Sequence, residues 1–144
     1  MADLTAPFNL LLADYQLLYQ KLRAFHWNVT GPHFFGLHAK FEELYNQVAL
    51  TVDEVAERIL TIGGKPLSTL AQNLEHARLQ EAKGDESADQ MVESVIADFR
   101  TLIQEQRSLA AVAEEAGDTA SADMIKAFAD DQEKTCWMLR AFSS

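Results

Sequence analysis

The sequence is short of several things at once. It has a single cysteine, Cys136, so no disulfide can form within the chain. Three prolines and six glycines among 144 residues leave few points where a helix is obliged to stop. No apolar run is long enough to cross a bilayer. Lysine and arginine number 12 against 22 acidic residues, a formal net charge of -10. An excess of that sign disfavours nucleic acid and anionic membranes as partners and attracts cations. The opening MADLTAPFNLLLADYQ has no basic stretch ahead of its apolar residues, so it does not read as a secretory signal. The expectation is a cytoplasmic, helix-rich single domain over residues 1–144, long enough to bury its own core.

What is present is helical periodicity. Phe8, Leu11, Leu12, Tyr15, Leu18, Leu22, Phe25 and Val29 recur at helical spacing over about Thr5–Val29, and Gly31-Pro32 ends the run. A second run, about Phe34–Ile62, carries Leu37, Phe41, Leu44, Val48, Val52, Val55 and Ile59 and stops at Gly63-Gly64. A mixed crossover follows, with a short helix predicted around residues 68–75. The third run covers about Ala88–Glu115, with Met91, Val92, Val95, Ile96, Phe99, Leu102, Ile103, Leu109 and Val112 as its apolar face. The last covers about Ser121–Phe142, with Met124, Ile125, Phe128, Met138, Leu139 and Phe142 inward. Tight turns at each end and a long connection in the middle predict an all-α, ferritin-like four-helix bundle with a short helix in the crossover between helices two and three.

Such bundles often hold a metal pair in their core through Glu-x-x-His motifs. This chain has none, and its third and fourth long helices carry no histidine. The remaining ligand types lie on the first two helices. His26 precedes the Gly-Pro break by about a turn and His38 follows the next helix start by about a turn, so the hairpin brings both imidazoles to similar height. His38 and Glu42 share a helix face at i, i+4, as do Asp53 and Glu57. The two pairs are about fifteen residues apart, roughly 22 Å along one helix, too far to share an ion within one chain. If a two-fold axis sets two copies of the second helix antiparallel, His26 and His38 of one chain can face Asp53 and Glu57 of the other. Taken singly, each residue also fits a solvated helix face.

FHWNV (25–29), GPHFF (31–35), LHAKFEELY (37–45), VDEVAERI (52–59) and DDQEKTCWMLRAF (130–142), in this order, resemble the Dps family, the miniferritins named as DNA-binding proteins from starved cells. The resemblance spans nearly the whole chain. It implies a dodecameric shell with ferroxidase centres at two-fold interfaces, ligands His26 and His38 from one subunit and Asp53 and Glu57 from its mate, and Glu42 close by. Fe(II) is then the substrate, hydrogen peroxide or dioxygen the oxidant, and a ferric mineral the stored product. Trp27 lies beside a ligand, where the family resemblance suggests a trap for stray oxidising equivalents; packing is the other reading. Asp118 and Asp123 match the region of an acidic iron inlet at the three-fold axes, and helix N-terminal carboxylates would look the same.

The other residues have plainer expectations. His33 reads as a turn residue, His76 has no evident partner, Trp137 reads as packing and Cys136 as buried and inert. Direct DNA binding is not expected, because the first basic side chain is Lys21 and the chain is strongly acidic. The alternative is a nucleoid-associated protein with the iron site secondary.

Overall fold

The computed structural model describes residues 3–143, and among them there are five helices and no strand: α1 (Thr5–Asn28), α2 (Phe34–Thr61), α3 (Leu70–His76), α4 (Ala88–Glu115) and α5 (Thr119–Ser143). α1 packs on α2, α4 packs on α5, the two hairpins meet chiefly through α1 and α4, and α3 lies against α1. This is the ferritin-like bundle that the periodicity predicts, with its long crossover between the second and third long helices. No helix among the described residues is long and apolar enough to cross a membrane.

The helix ends have local causes. Gly31 turns the chain after α1 at φ 111°, a conformation that strains a residue with a Cβ. Gly63, at φ 92°, closes α2, with its N–H donated to Leu60 O at 3.0 Å and that of Gly64 to Ile59 O at 2.8 Å. Thr69 and Gln72 form a capping box, so α3 starts at Leu70 rather than nearer residue 68. Ser87 and Gln90 form another at α4. α5 starts at Thr119 rather than near Ser121 because Asp118 Oδ1 accepts the Ser121 N–H at 3.0 Å.

Phe8, Leu11, Leu18, Leu22 and Phe25 of α1 and Leu37, Phe41, Leu44 and Ile59 of α2 are almost fully buried. Each such side chain stabilises the fold by about 1.5–3 kcal/mol relative to exposure. On α4 the predicted apolar face holds from Met91 to Leu102 and then slips. The buried seam continues through Gln106, Ala110 and Ala113, whereas Val112 is 50% exposed. Gln106 is tolerated inside because its amide is satisfied. Tyr15 Oη donates to Gln106 Oε1 at 2.5 Å, Gln106 Nε2 to Gln132 Oε1 at 2.9 Å, and Gln132 Nε2 to Tyr15 Oη at 2.6 Å. Burial pushes the Tyr15 phenol far above its usual value, which keeps the donor hydrogen in place. Phe142 also departs from its inward reading: it lies edge-on to His33, ring centroids 5.1 Å apart, and so covers the α1–α2 turn rather than the core.

The crossover is tied down by buried charge. Asp14 Oδ1 accepts the N–H groups of Arg78 at 2.6 Å and Leu79 at 3.1 Å, while Oδ2 accepts Arg78 Nε at 2.8 Å. Lys21 Nζ lies 2.9 Å from Asp98 Oδ2 and donates to Gln80 O at 3.0 Å. These contacts leave the α1–α2 end free to carry different chemistry.

Candidate metal centre

His26 is near the end of α1, and His38 is one turn into α2. Their rings stack with centroids 3.8 Å apart and planes 15° from parallel. His26 Nδ1 lies 2.7 Å from His38 O, and His38 Nδ1 lies 2.7 Å from His26 O. A carbonyl oxygen only accepts, so both Nδ1 atoms carry the hydrogen and donate it. In the neutral imidazoles each Nε2 is then left with a free lone pair, the state a metal requires. The arrangement also serves the helix, since the His26 carbonyl sits in the last turn of α1, where carbonyls lack an intrahelical partner.

Two side chains that sequence reasoning passed over complete this cluster. Phe34 stacks on His38, centroids 4.9 Å apart and planes 21° from parallel. Tyr45 meets His26 edge-on at 5.4 Å and 78°. Phe34 lies at i, i+4 to His38 and Tyr45 at i+7, so helical spacing was the available signal. Apolar residues at such spacing ordinarily mark a core.

Asp53 and Glu57 sit farther along α2, both exposed and one turn apart. The Asp53 carboxylate holds Glu57 above its usual range, first through a shared hydrogen bond and then through like-charge repulsion. A bound cation would relieve that conflict. Among the described residues, no three His, Cys, Asp or Glu side chains of one chain gather into a metal-binding group. The clefts between α1 and α3, about 450 Å³, and between α2 and α5, about 490 Å³, are lined by other residues. Asp53 and Glu57 instead belong to an outward stripe of α2 that includes Phe35, Glu42, Leu50 and Leu60, with Phe35 86%, Leu50 69% and Leu60 58% exposed.

The remaining candidates are placed as follows. Asp118 is engaged through both carboxylate oxygens, accepting from Arg58 at 2.9 Å and from the Ser121 N–H at 3.0 Å and hydroxyl at 2.5 Å. Burial pushes its carboxyl up, but the Ser121 bonds and the Arg58 guanidinium outweigh this and hold it below the usual range. Asp123 is exposed. Trp27 and Trp137 do not pack into the core of the chain, each being 57% exposed. Trp27 follows the inward His26, so the helix turns it out, where Arg23 stacks 5.0 Å from its ring. His33 is the residue before α2, as a turn residue should be. His76 finds a partner in its own helix, with Nδ1 2.9 Å from Gln72 O. Cys136 is buried, and burial pushes its thiol up.

The family described as Ferritin-like domain matches residues 6–144. A DNA protection during starvation protein of Brevibacillus brevis is 52% identical over 134 residues, covering 93% of this chain and 90% of its own. The crystal structure of a Dps protein from Bacillus brevis superposes with a TM-score of 0.96 at 50% identity, covering 98% of this chain and 95% of the other. A Dps protein from Vibrio cholerae O1, described as a member of a broad superfamily of ferritin-like diiron-carboxylate proteins, does so with a TM-score of 0.95 at 36% identity, over 98% of this chain and 89% of the other. With its bundle, its crossover helix and these relatives, the chain belongs to the Dps family of ferritin-like proteins.

Proposed function

We propose that this chain is the subunit of an iron-oxidising, iron-storing shell whose ferroxidase centre is shared across a two-fold axis. His26 and His38 come from one subunit and Asp53 and Glu57 from its mate. The observation that carries this reading is the crosswise-tied imidazole pair, which is half of a ligand set. The outward stripe of α2 supports the pairing. Antiparallel packing about a two-fold near residues 47–48 sets His38 against Glu57, Glu42 against Asp53 and Phe35 against Leu60. Apolar contacts then flank the polar ones and exclude water from them.

Neutral imidazole nitrogen and carboxylate oxygen both suit iron and leave positions open for oxidant. Two ferrous ions held together each give one electron to hydrogen peroxide. The O–O bond breaks, two protons complete two waters, and no hydroxyl radical leaves the site. Dioxygen is the alternative oxidant. The ferric product passes to the interior of a dodecameric shell and is stored as mineral. Iron reaches the interior past the start of α5, where Asp123 offers a free carboxylate and Asp118 one already shared with Arg58.

The test is anaerobic Fe(II) loading followed by stoichiometric peroxide, with ferric absorbance and retained soluble iron followed together. The wild-type protein oxidises rapidly and keeps its iron in solution, whereas Asp53→Ala/Glu57→Ala loses the fast phase while still assembling. Equal rates in the two proteins would remove the shared centre from consideration.

A further inference from the structure

We infer that Phe34 is a positioning residue for iron binding: its ring covers one face of the His38 imidazole, His26 covers the other, and the column holds His38 with Nε2 available to metal. The inference rests on the shared-centre reading and adds to it a residue that is not itself a ligand. An imidazole has only two faces, so its two stacked neighbours take one each. The bond from His38 Nδ1 to His26 O sets the tautomer and tethers one edge of the ring. That single bond leaves the ring free to swing about the tether. Phe34 on the far face blocks the swing, because leaving the stack would drive the imidazole into a fixed phenyl group.

Phe34 is itself held by the turn and by partial packing against the core. Its N–H donates to Gly31 O at 3.1 Å, and the Leu37 N–H donates to His33 O at 3.0 Å, which sets the first turn of α2. Phe34 is only half-buried, and its neighbour Phe35 points outward. The ring of Phe34 meets Phe35 edge-on, centroids 5.5 Å apart, and it is the His38 imidazole that it meets face to face. Fixing a ligand ring before metal arrives lowers the ordering cost of binding, as outer partners of metal-bound histidines do.

The experiment uses the assembled protein and Co(II) as a spectroscopic stand-in for Fe(II), titrated anaerobically by visible absorption. Phe34→Leu and Phe34→Met keep an apolar side chain but remove the flat face, and Phe34→Tyr keeps it. Both flat-face losses are expected to weaken Co(II) binding by about tenfold, at the low end for an outer partner. Assembly by light scattering stays unchanged, and Phe34→Tyr restores the affinity. In peroxide-driven oxidation the half-saturating Fe(II) concentration rises by a similar factor, while the rate at saturation is kept. If Phe34→Leu fails to assemble, Phe34→Met carries the test. Wild-type affinity in the flat-face variants, or equal weakness in Phe34→Tyr, overturns the positioning role. Asp53→Ala/Glu57→Ala serves as the control: its binding Co(II) as wild type does would instead overturn the shared centre.

Discussion

The centre of the bundle and the end of the α1–α2 hairpin each hold polar rings, and they treat them in opposite ways. At the centre, Tyr15, Gln106 and Gln132 pass hydrogen bonds round a closed circuit in which the phenol donates once and accepts once. At the hairpin end, His26 and His38 satisfy each other only through Nδ1. Their Nε2 atoms remain available. A closed network stabilises, because a buried polar group left unpaired is costly. An open one keeps its capacity for an incoming ligand. The contrast teaches that a polar group inside the bundle is kept by pairing it completely, whereas one at the hairpin end can keep a lone pair in reserve. The candidate ligands of α1 and α2 lie instead at the hairpin end and on an exposed stripe of α2.

The contrast can be broken from either side. The largest effect is expected at the open end: His26→Ala or His38→Ala should slow peroxide-driven oxidation by about a hundredfold or more in stopped flow, beyond the 10–100-fold cost of losing an outer partner. Next comes the buried anchor of the crossover. Asp14→Ala leaves the buried Leu79 N–H unpaired and strips the Arg78 N–H and guanidinium of their shared acceptor. It should cost about 3–5 kcal/mol in denaturant unfolding. Tyr15→Phe opens the closed circuit and should cost about 1–3 kcal/mol while leaving iron oxidation unchanged. A parallel loss of ferroxidation would mean that the two regions are not independent.

A smaller effect is expected at Asp118. Its carboxyl is held below the ordinary value of 3.8, so its contribution is fully present above that value and fades as the pH falls through the lower folded value. Asp118→Asn should therefore lose stability at neutral pH and show a shallower acid limb below about pH 4. Smallest of all is the expected retardation of duplex DNA at neutral pH and physiological salt, which should be none, given a net charge of -10 per chain. A clear shift in that assay would favour the nucleoid-associated reading.

The helices and the turn at Gly31-Pro32 were legible because their signals are local: a helical period, a glycine where φ is positive, a proline that ends a run. The stacking of His26 on His38 was legible only as similar height. Its atomic form was not, because it depends on how two helices are set against each other. Phe34 and Tyr45 were hidden for a related reason, since an aromatic at helical spacing looks the same whether it faces a core or an imidazole. The slip on α4 has a third cause. Hydropathy ranks Gln106 below Val112, and only Tyr15 and Gln132, far away in sequence, make Gln106 the better buried residue.

By itself, the sequence determined the number and order of the helices, the long crossover, the acidic charge and the candidate ligand types, since each depends on neighbours within a turn or two or on a simple count. Tertiary structure decided that His26 and His38 exchange Nδ1–H bonds, that Asp118 is committed to Arg58 and Ser121, and that Trp27 is turned outward beside Arg23. Those outcomes turn on distances of an ångström or less between segments far apart in the chain. Such distances come from packing, and no periodicity encodes them.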